Sequence, residues 1–335
     1  MIRELLRLGP AQRDHLPAGR IALGVAVPLL TLLWWGRLDL SIYASFAAFT
    51  GIYARHEPLG TRLRHQSTSA ALLLACEALG IWLAQTGTGP WGVTLAGALV
   101  SGVGAVLAAA LGLRPAGSLF FVFAVTSIAG LSRPAPFGEA LGVAAATAVF
   151  CLGLGVLGAL LSERVRPDEL QPPSPSPLDE AGLSWHSLRH VLAAGLGGAA
   201  GLLSPFGHSA WAMVAAVAPI SAQDHRGRVQ RGLHRIVGTL GGVGVAAVVL
   251  ALPPSPWLLV GLIVVLQFLA EVFVTRNYSV SLLFVTPLAL LMTQLTQPGD
   301  PAALLTARAA ETVLGALIGL AVVVLVRSGA ERRDG

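Results

Sequence analysis

The sequence predicts an all-α, polytopic membrane protein of about twelve transmembrane helices, built as two parallel six-helix repeats. Three observations predict it. Of the 335 residues 54% are hydrophobic and only 12% charged, about half the charged share of a soluble domain, and mean hydropathy is +0.72. Apolar runs of helix length recur along the whole chain. The arginines fall at alternate ends of those runs.

In the first half the runs are Ile21–Trp35, Leu40–Ala54, Ser67–Gln85, Trp91–Leu113, Gly117–Leu131 and Gly138–Leu161. In the second half they are Leu188–Leu203, Ser209–Ala222, Ile236–Leu252, Trp257–Val274, Ser279–Leu295 and Ala303–Val326. A crossing needs about 20 apolar residues, and several runs sit at or below that limit. The second and eighth are unusually short, they occupy equivalent places in the two halves, and the eighth contains Pro219. Alternating strand patterns are absent, and backbone in lipid must pair internally, so the spans are helices.

All 22 basic residues are arginine. With the N-terminus inside, 19 of them fall on inner segments, and only Arg37, Arg133 and Arg308 fall outside. That is a positive-inside distribution, with both termini cytoplasmic. It also explains a pI near 10.2 without nucleic acid. Trp34, Trp35, Trp91, Trp211 and Trp257 lie near outer ends and read as interfacial anchors.

Arg55 and Arg64 are nine apart and followed by Thr68, and Arg226 and Arg235 are nine apart and followed by Thr239, at a constant offset of 171. Arg114 and Arg276 both fall between the fourth and fifth spans of their halves. The expected organisation is a first six-helix half at 1–162 with a basic tail, a Pro/Ser-rich cytoplasmic linker at 163–186, and a second six-helix half at 187–335. "IRELLRL" near the N-terminus is amphipathic and basic, the character of a segment lying on a membrane surface.

Soluble chemistries find no support. Cys76 and Cys151 lie inside apolar runs, outside any metal-binding or redox spacing. "GLGVLG" at Gly153–Gly158 has neither a preceding strand nor a following acid, so it is not a dinucleotide loop. A Walker loop needs a lysine, and the chain has none. No histidine spacing suits a metal and no nucleophile elbow occurs. The chain is expected not to be an enzyme and to need no cofactor. The pairs Gly197/Gly201, Gly238/Gly242 and Gly315/Gly319 are expected at close helix contacts.

Three acids fall within spans: Glu77, Glu271 and Glu311. An acid at mid-membrane costs at least ~2.5–3.5 kcal/mol, so it faces a partner or a cavity. Each is a candidate for proton coupling or a buried ion pair. Glu271 with Arg276 and Glu311 with Arg308 are spaced to pair, whereas Glu77 has no local partner.

The stretch "DHRGRVQRGLHRIVGTLGG" places Arg226, Arg231 and Arg235 at the inner edge of the ninth span, ahead of Gly238 and Thr239. A second stretch, "AEVFVTRNYSVSLLFVTPLALL", carries Glu271, Arg276, Asn277, Tyr278, Thr286 and Pro287. Together they resemble the fusaric-acid-resistance and aromatic-acid-exporter (FUSC-like) membrane proteins, with "YARHEP" as the first-half counterpart. The resemblance implies a bacterial inner-membrane protein of two six-helix halves that exports aromatic carboxylic acids or similar amphipathic toxins. Larger relatives carry a soluble helical domain, for which the linker here is too short.

The expected partners are the lipid bilayer and a small organic anion; a second copy of the chain is compatible, and nucleic acid is not expected. Arg55, Arg64, Arg226, Arg231, Arg235 and Arg276 are the candidate anion-binding residues, near the repeat interface to which the paired short spans point. The alternatives are a passive anion channel and a membrane scaffold without transport.

Overall fold

A chain this apolar places its helices side by side and buries its few polar groups between them. The computed structural model describes residues 8–10, 13–161, 163, 180–222, 224–251 and 255–326. Residues 1–7, with nearly all of the amphipathic N-terminal stretch, and residues 164–179 of the Pro/Ser-rich linker lie outside the described residues. Among the described residues twelve α-helices follow one another: α1 (His15–Trp34), α2 (Ser41–Ala48), α3 (Leu59–Gln85), α4 (Pro90–Ala110), α5 (Leu119–Ala129), α6 (Phe137–Leu161), α7 (Glu180–Leu203), α8 (Ser209–Val217), α9 (His225–Leu250), α10 (Pro256–Phe273), α11 (Tyr278–Thr296) and α12 (Pro301–Leu325).

Each predicted span falls on one of these helices, yet they differ in reach. Eight are long and apolar enough to cross a membrane: α1, α3, α4, α6, α9, α10, α11 and α12. Helices α2, α5 and α8 are short. Eleven residues in α5 rise only about 16 Å at 1.5 Å per residue. Both α2 and α8 run into a 3-10 turn, Phe49–Ile52 and Pro219–Ser221 respectively. Pro219 explains the second break, because its ring cannot continue an α-helix. Conversely α3 and α9 begin at Leu59 and His225, well before their apolar runs, because the arginine-bearing turns stay helical beyond the hydrophobic stretch.

Local chemistry sets the helix starts. The Asp224 side chain accepts from the Gly227 N–H at 2.8 Å at the start of α9. Asn277 accepts from Val280 N at 3.1 Å ahead of α11. Asp300 accepts from Ala302 N and Ala303 N, both at 3.1 Å, with Pro301 in the first helical position of α12. These side chains satisfy amides that have no carbonyl partner within the helix.

Neighbours recur between the halves. In the first half α3 packs on α5 and α6, and α2 on α6; in the second, α9 packs on α11 and α12, and α8 on α12. Across the halves α1 packs on α10 and α4 on α7. Short α8 is buried from Trp211 to Ile220, held between α7 and α12 by glycine. A Cβ on Gly315 or Gly319 would collide with the carbonyls of Ala212 and Ala216, and one on Gly197 would come within 3.0 Å of the Ala212 carbonyl. Gly201 meets Ser209. The Gly238/Gly242 pair brings α9 against α11, where a Cβ would stand 2.5 Å from Ser279 O and 2.6 Å from Leu282 O. All three predicted glycine pairs therefore lie at close helix contacts. Gly155 and Gly158 of "GLGVLG" likewise pack against Gln66 and against Arg20 and Glu163.

Leu23, Leu99, Val103, Val149, Leu196 and Val248 are exposed on the outer faces, where lipid would cover them.

Gly315→Val should force α12 away from the α8 backbone. We expect a loss of about 1–3 kcal/mol, read as a lowered thermal midpoint of the purified protein in detergent, with Gly138→Val, at a position with open space, as the silent control.

Candidate functional site

Buried arginines tie several helix ends to one another. Glu163, past the end of α6, accepts from Arg20 Nε and Arg62 Nη1, both at 2.8 Å. Arg20 also donates to Gly51 O at 3.1 Å and Arg62 to Arg55 O at 3.3 Å. Arg55 reaches into the second half, bonding Glu271 Oε2 at 3.0 Å and Glu271 O at 3.1 Å, while Gln267 holds the other carboxylate oxygen at 3.2 Å. Thr275 donates to Asp14 at 2.9 Å, and Arg189 Nε to Val326 O at 2.7 Å at the end of α12. Burial first, and then the Arg55 cation, hold His56 in the turn before α3 below its ordinary value, so this ring adds no charge at neutral pH. A separate, exposed group joins Arg37 to Asp39 at 3.0 Å and to Glu139 at 2.7 Å.

These ties correct one expected pairing. Glu271 does not pair with Arg276; its partner is Arg55, 216 residues away. Arg276 instead donates to Gly9 O at 3.3 Å and lies 5.7 Å from the Phe273 ring. A helix ends between Glu271 and Arg276, so their spacing does not bring the side chains to one face.

The second half holds a different arrangement. Arg235 of α9 is 4% exposed and donates to Tyr278 Oη at 3.1 Å. The Arg231 guanidinium lies 4.2 Å above the Tyr278 ring. Arg308 of α12 is 1% exposed, sits 5.1 Å from the Trp211 ring, and is within electrostatic reach of Arg235, Tyr278 and Glu311. Among the described residues, none of these three guanidinium groups has a carboxylate at salt-bridge distance. Arg231 Nε, Arg235 Nε, and Arg308 Nε and Nη1 are buried without a hydrogen-bond partner. The paired spacing of Arg308 and Glu311 gives no ion pair either. Glu311 Oε1 accepts from the His208 N–H at 2.7 Å and its Oε2 has no partner.

Desolvated cations beside aromatic faces are what an aromatic carboxylate recognises. Guanidinium groups offer planar, paired donors, and the rings offer apolar contact.

The other candidates distribute as follows. Arg64 and Arg226 are exposed. Their repeat partners are not equivalent in the fold: Arg55 lies four residues before α3, whereas Arg226 lies one residue into α9. Arg64 is exposed where Arg235 is buried. Glu77 is 0% exposed in α3, and neither of its oxygens has a partner. Asn277 caps α11. Thr286 and Pro287 are buried within that helix, with Thr286 against Gly242. Gly238 and Thr239 lie on the buried face of α9.

Sequence reading missed the Arg20–Glu163–Arg62 group and the part taken by Arg308, Trp211 and His208. Arg308 counted as an outer charge, although a charge several residues inside an apolar run is a signal of burial.

Removing one partner of a buried ion pair strands the other charge, at about 3–5 kcal/mol. Glu271→Ala should therefore unfold far more readily than the parent. Arg55→Ala/Glu271→Ala should cost clearly less than the two single losses added together; strict additivity in a double-mutant thermal-unfolding cycle would count against the pair.

No curated protein matches the chain, and no solved structure does. Residues 192–322 match the family model described as fusaric acid resistance protein-like. That match runs from α7 to α12 and takes in Arg231, Arg235, Tyr278 and Arg308, so the second half of this chain is similar to the fusaric acid resistance protein-like family.

Proposed function

We propose that this protein is a secondary transporter that exports small aromatic or other organic anions across the bacterial plasma membrane. The observation that carries this reading is the group of three arginines, half-buried Arg231 and buried Arg235 and Arg308, set against Tyr278 and Trp211 without a carboxylate partner among the described residues. Burying a charge unpaired is expensive, and an anionic cargo would neutralise it. The anion site would then lie within the second half, bordered by short α8.

On this reading the twelve helices form two parallel six-helix repeats. The recurrence of helix neighbours supports it: α3 with α5 and α6 matches α9 with α11 and α12, and α1 on α10 matches α7 on α4. Short helices are tolerated at membrane depth where protein surrounds them, as it does α8. The arginine-rich end faces the cytoplasm by the positive-inside rule, with both termini on that side. Glu77 is the proton-coupling carboxyl, since an acid with no partner in the interior is stable there only when protonated. No enzymatic step and no cofactor enter the scheme.

The test is uptake of radiolabelled benzoate into proteoliposomes under an imposed proton gradient. Uptake that follows the gradient, and is lost in Glu77→Gln, supports coupled transport. Anion current indifferent to the gradient supports a passive channel instead. Neither signal leaves a membrane scaffold. Arg235→Gln and Arg308→Gln should each lower transport by about tenfold or more, the worth of a charge-assisted hydrogen bond. Arg64→Gln and Arg226→Gln, on exposed side chains, should stay within about twofold of the parent.

A further inference from the structure

Helices α9 and α12 run antiparallel, so their residues can be placed on one depth scale. Gly232 of α9 meets Leu320 of α12, where a Cβ would lie 2.6 Å from Leu320 Cδ2. Measured from that contact toward the opposite end at 1.5 Å per residue, Arg235 stands at about 4.5 Å, Thr239 at about 10 Å, Thr312 at about 12 Å and Arg308 at about 18 Å. Thr286 of α11 touches Gly242, which stands at about 15 Å on the same scale. Three threonines, one from α9 and one from each of the two helices packed on it, thus lie in depth between the turns that carry Arg235 and Arg308.

All three are 0% exposed. The hydroxyl oxygens of Thr239, Thr286 and Thr312 are each buried without a hydrogen-bond partner. Buried hydroxyls nearly always find one, commonly a main-chain carbonyl one turn earlier. Thr31, Thr68, Thr126, Thr293, Thr296 and Thr306 do so in this protein. Thr50 and Thr94 are also buried without a partner; the three in this seam are set apart by lying in depth between two buried arginines. Thr239 lies one turn beyond Arg235 on α9, and Thr312 one turn beyond Arg308 on α12, so each shares a helix face with its arginine.

We propose that Thr239, Thr312 and Thr286 form a hydroxyl ladder that passes a carboxylate between Arg235 and Arg308, so that the anion crosses between α9, α11 and α12. The path lies inside the second half and not along the interface of the two repeats. Hydroxyls suit this step because they donate to an anion while adding no charge that would trap it. The stations at either end are charged and hold the cargo; the ladder between them is neutral and lets it move. Glu311, near the outer station and bonded to the His208 N–H, would oppose prolonged residence of an anion on Arg308. This inference rests on the anion-export reading above.

The experiment has two arms. In proteoliposomes with benzoate as the probe, Thr239→Val/Thr312→Val should slow transport by about tenfold or more, the worth of hydrogen bonds to a charged group. Thr239→Ser/Thr312→Ser, which keeps both hydroxyls, should stay within about threefold of the parent. If the valine pair transports like the parent while Arg235→Gln does not, the ladder is wrong and the anion site stands. The second arm needs no transport. The chain's two cysteines, Cys76 and Cys151, are replaced by alanine, and Thr312→Cys is exposed to an anionic methanethiosulfonate. Labelling that benzoate slows supports the path. An unreactive cysteine, or one that benzoate leaves unprotected, overturns it. A parent that labels with benzoate protection but moves no benzoate would overturn the transport reading while keeping the anion-lined seam.

Discussion

A chain embedded in hydrocarbon has to satisfy its own polar groups, because no water is present to do it. This constraint organises the molecule. Backbone groups are met by helices, and where a helix is broken, at α2 and α8, the break lies among other helices and not against lipid. Charges are met by ion pairs that cross the fold. Glu163 serves two arginines from different helices, and Glu271 serves an arginine from the other half. These pairs tie the arginine-rich end together more specifically than apolar packing, which tolerates sliding.

Against that background the unsatisfied groups carry the information. Several of them cluster: in the second half, Arg235, Thr239, Thr286, Arg308 and Thr312 all lie on α9, α11 and α12. In the first half, Glu77 is buried in α3 with both oxygens unmatched. Among the described residues, the first half thus holds a buried acid without a partner, and the second holds buried guanidinium nitrogens without one.

Glycine makes the seam possible. Gly238 and Gly242 let α9 approach the backbone of α11, and Gly315 and Gly319 let α12 approach α8. Close backbones favour short side chains, and threonines occupy the seam between the two arginines. The apolar concavity lined by Leu240, Val243, Leu305, Ala309, Val313 and Leu317 lies on the other face of the same pair of helices, and its chemistry suits acyl chains. The polar seam and the lipid-facing groove are thus two sides of one helix pair.

Much of this was legible in the sequence. Hydropathy located the twelve described helices, because a helix shielded from water by lipid or by other helices needs an apolar run. The arginine distribution foretold an arginine-rich end, and Pro219 and the brevity of its run foretold the break after α8. The glycine pairs foretold close contacts, since only small residues permit them. Partner identity was not legible. Sequence spacing proposed Arg276 for Glu271 and Arg308 for Glu311, and the fold chose Arg55 for the first and the His208 amide for the second. The nine-residue echo around Arg55 and Arg226 likewise did not survive as equivalent positions, because the helix starts shift relative to it. Composition and periodicity determine that a residue is buried and on which helix. Only the tertiary structure decides what it faces, because an ion pair or an unmatched hydroxyl depends on how helices distant in sequence are rotated and staggered against each other.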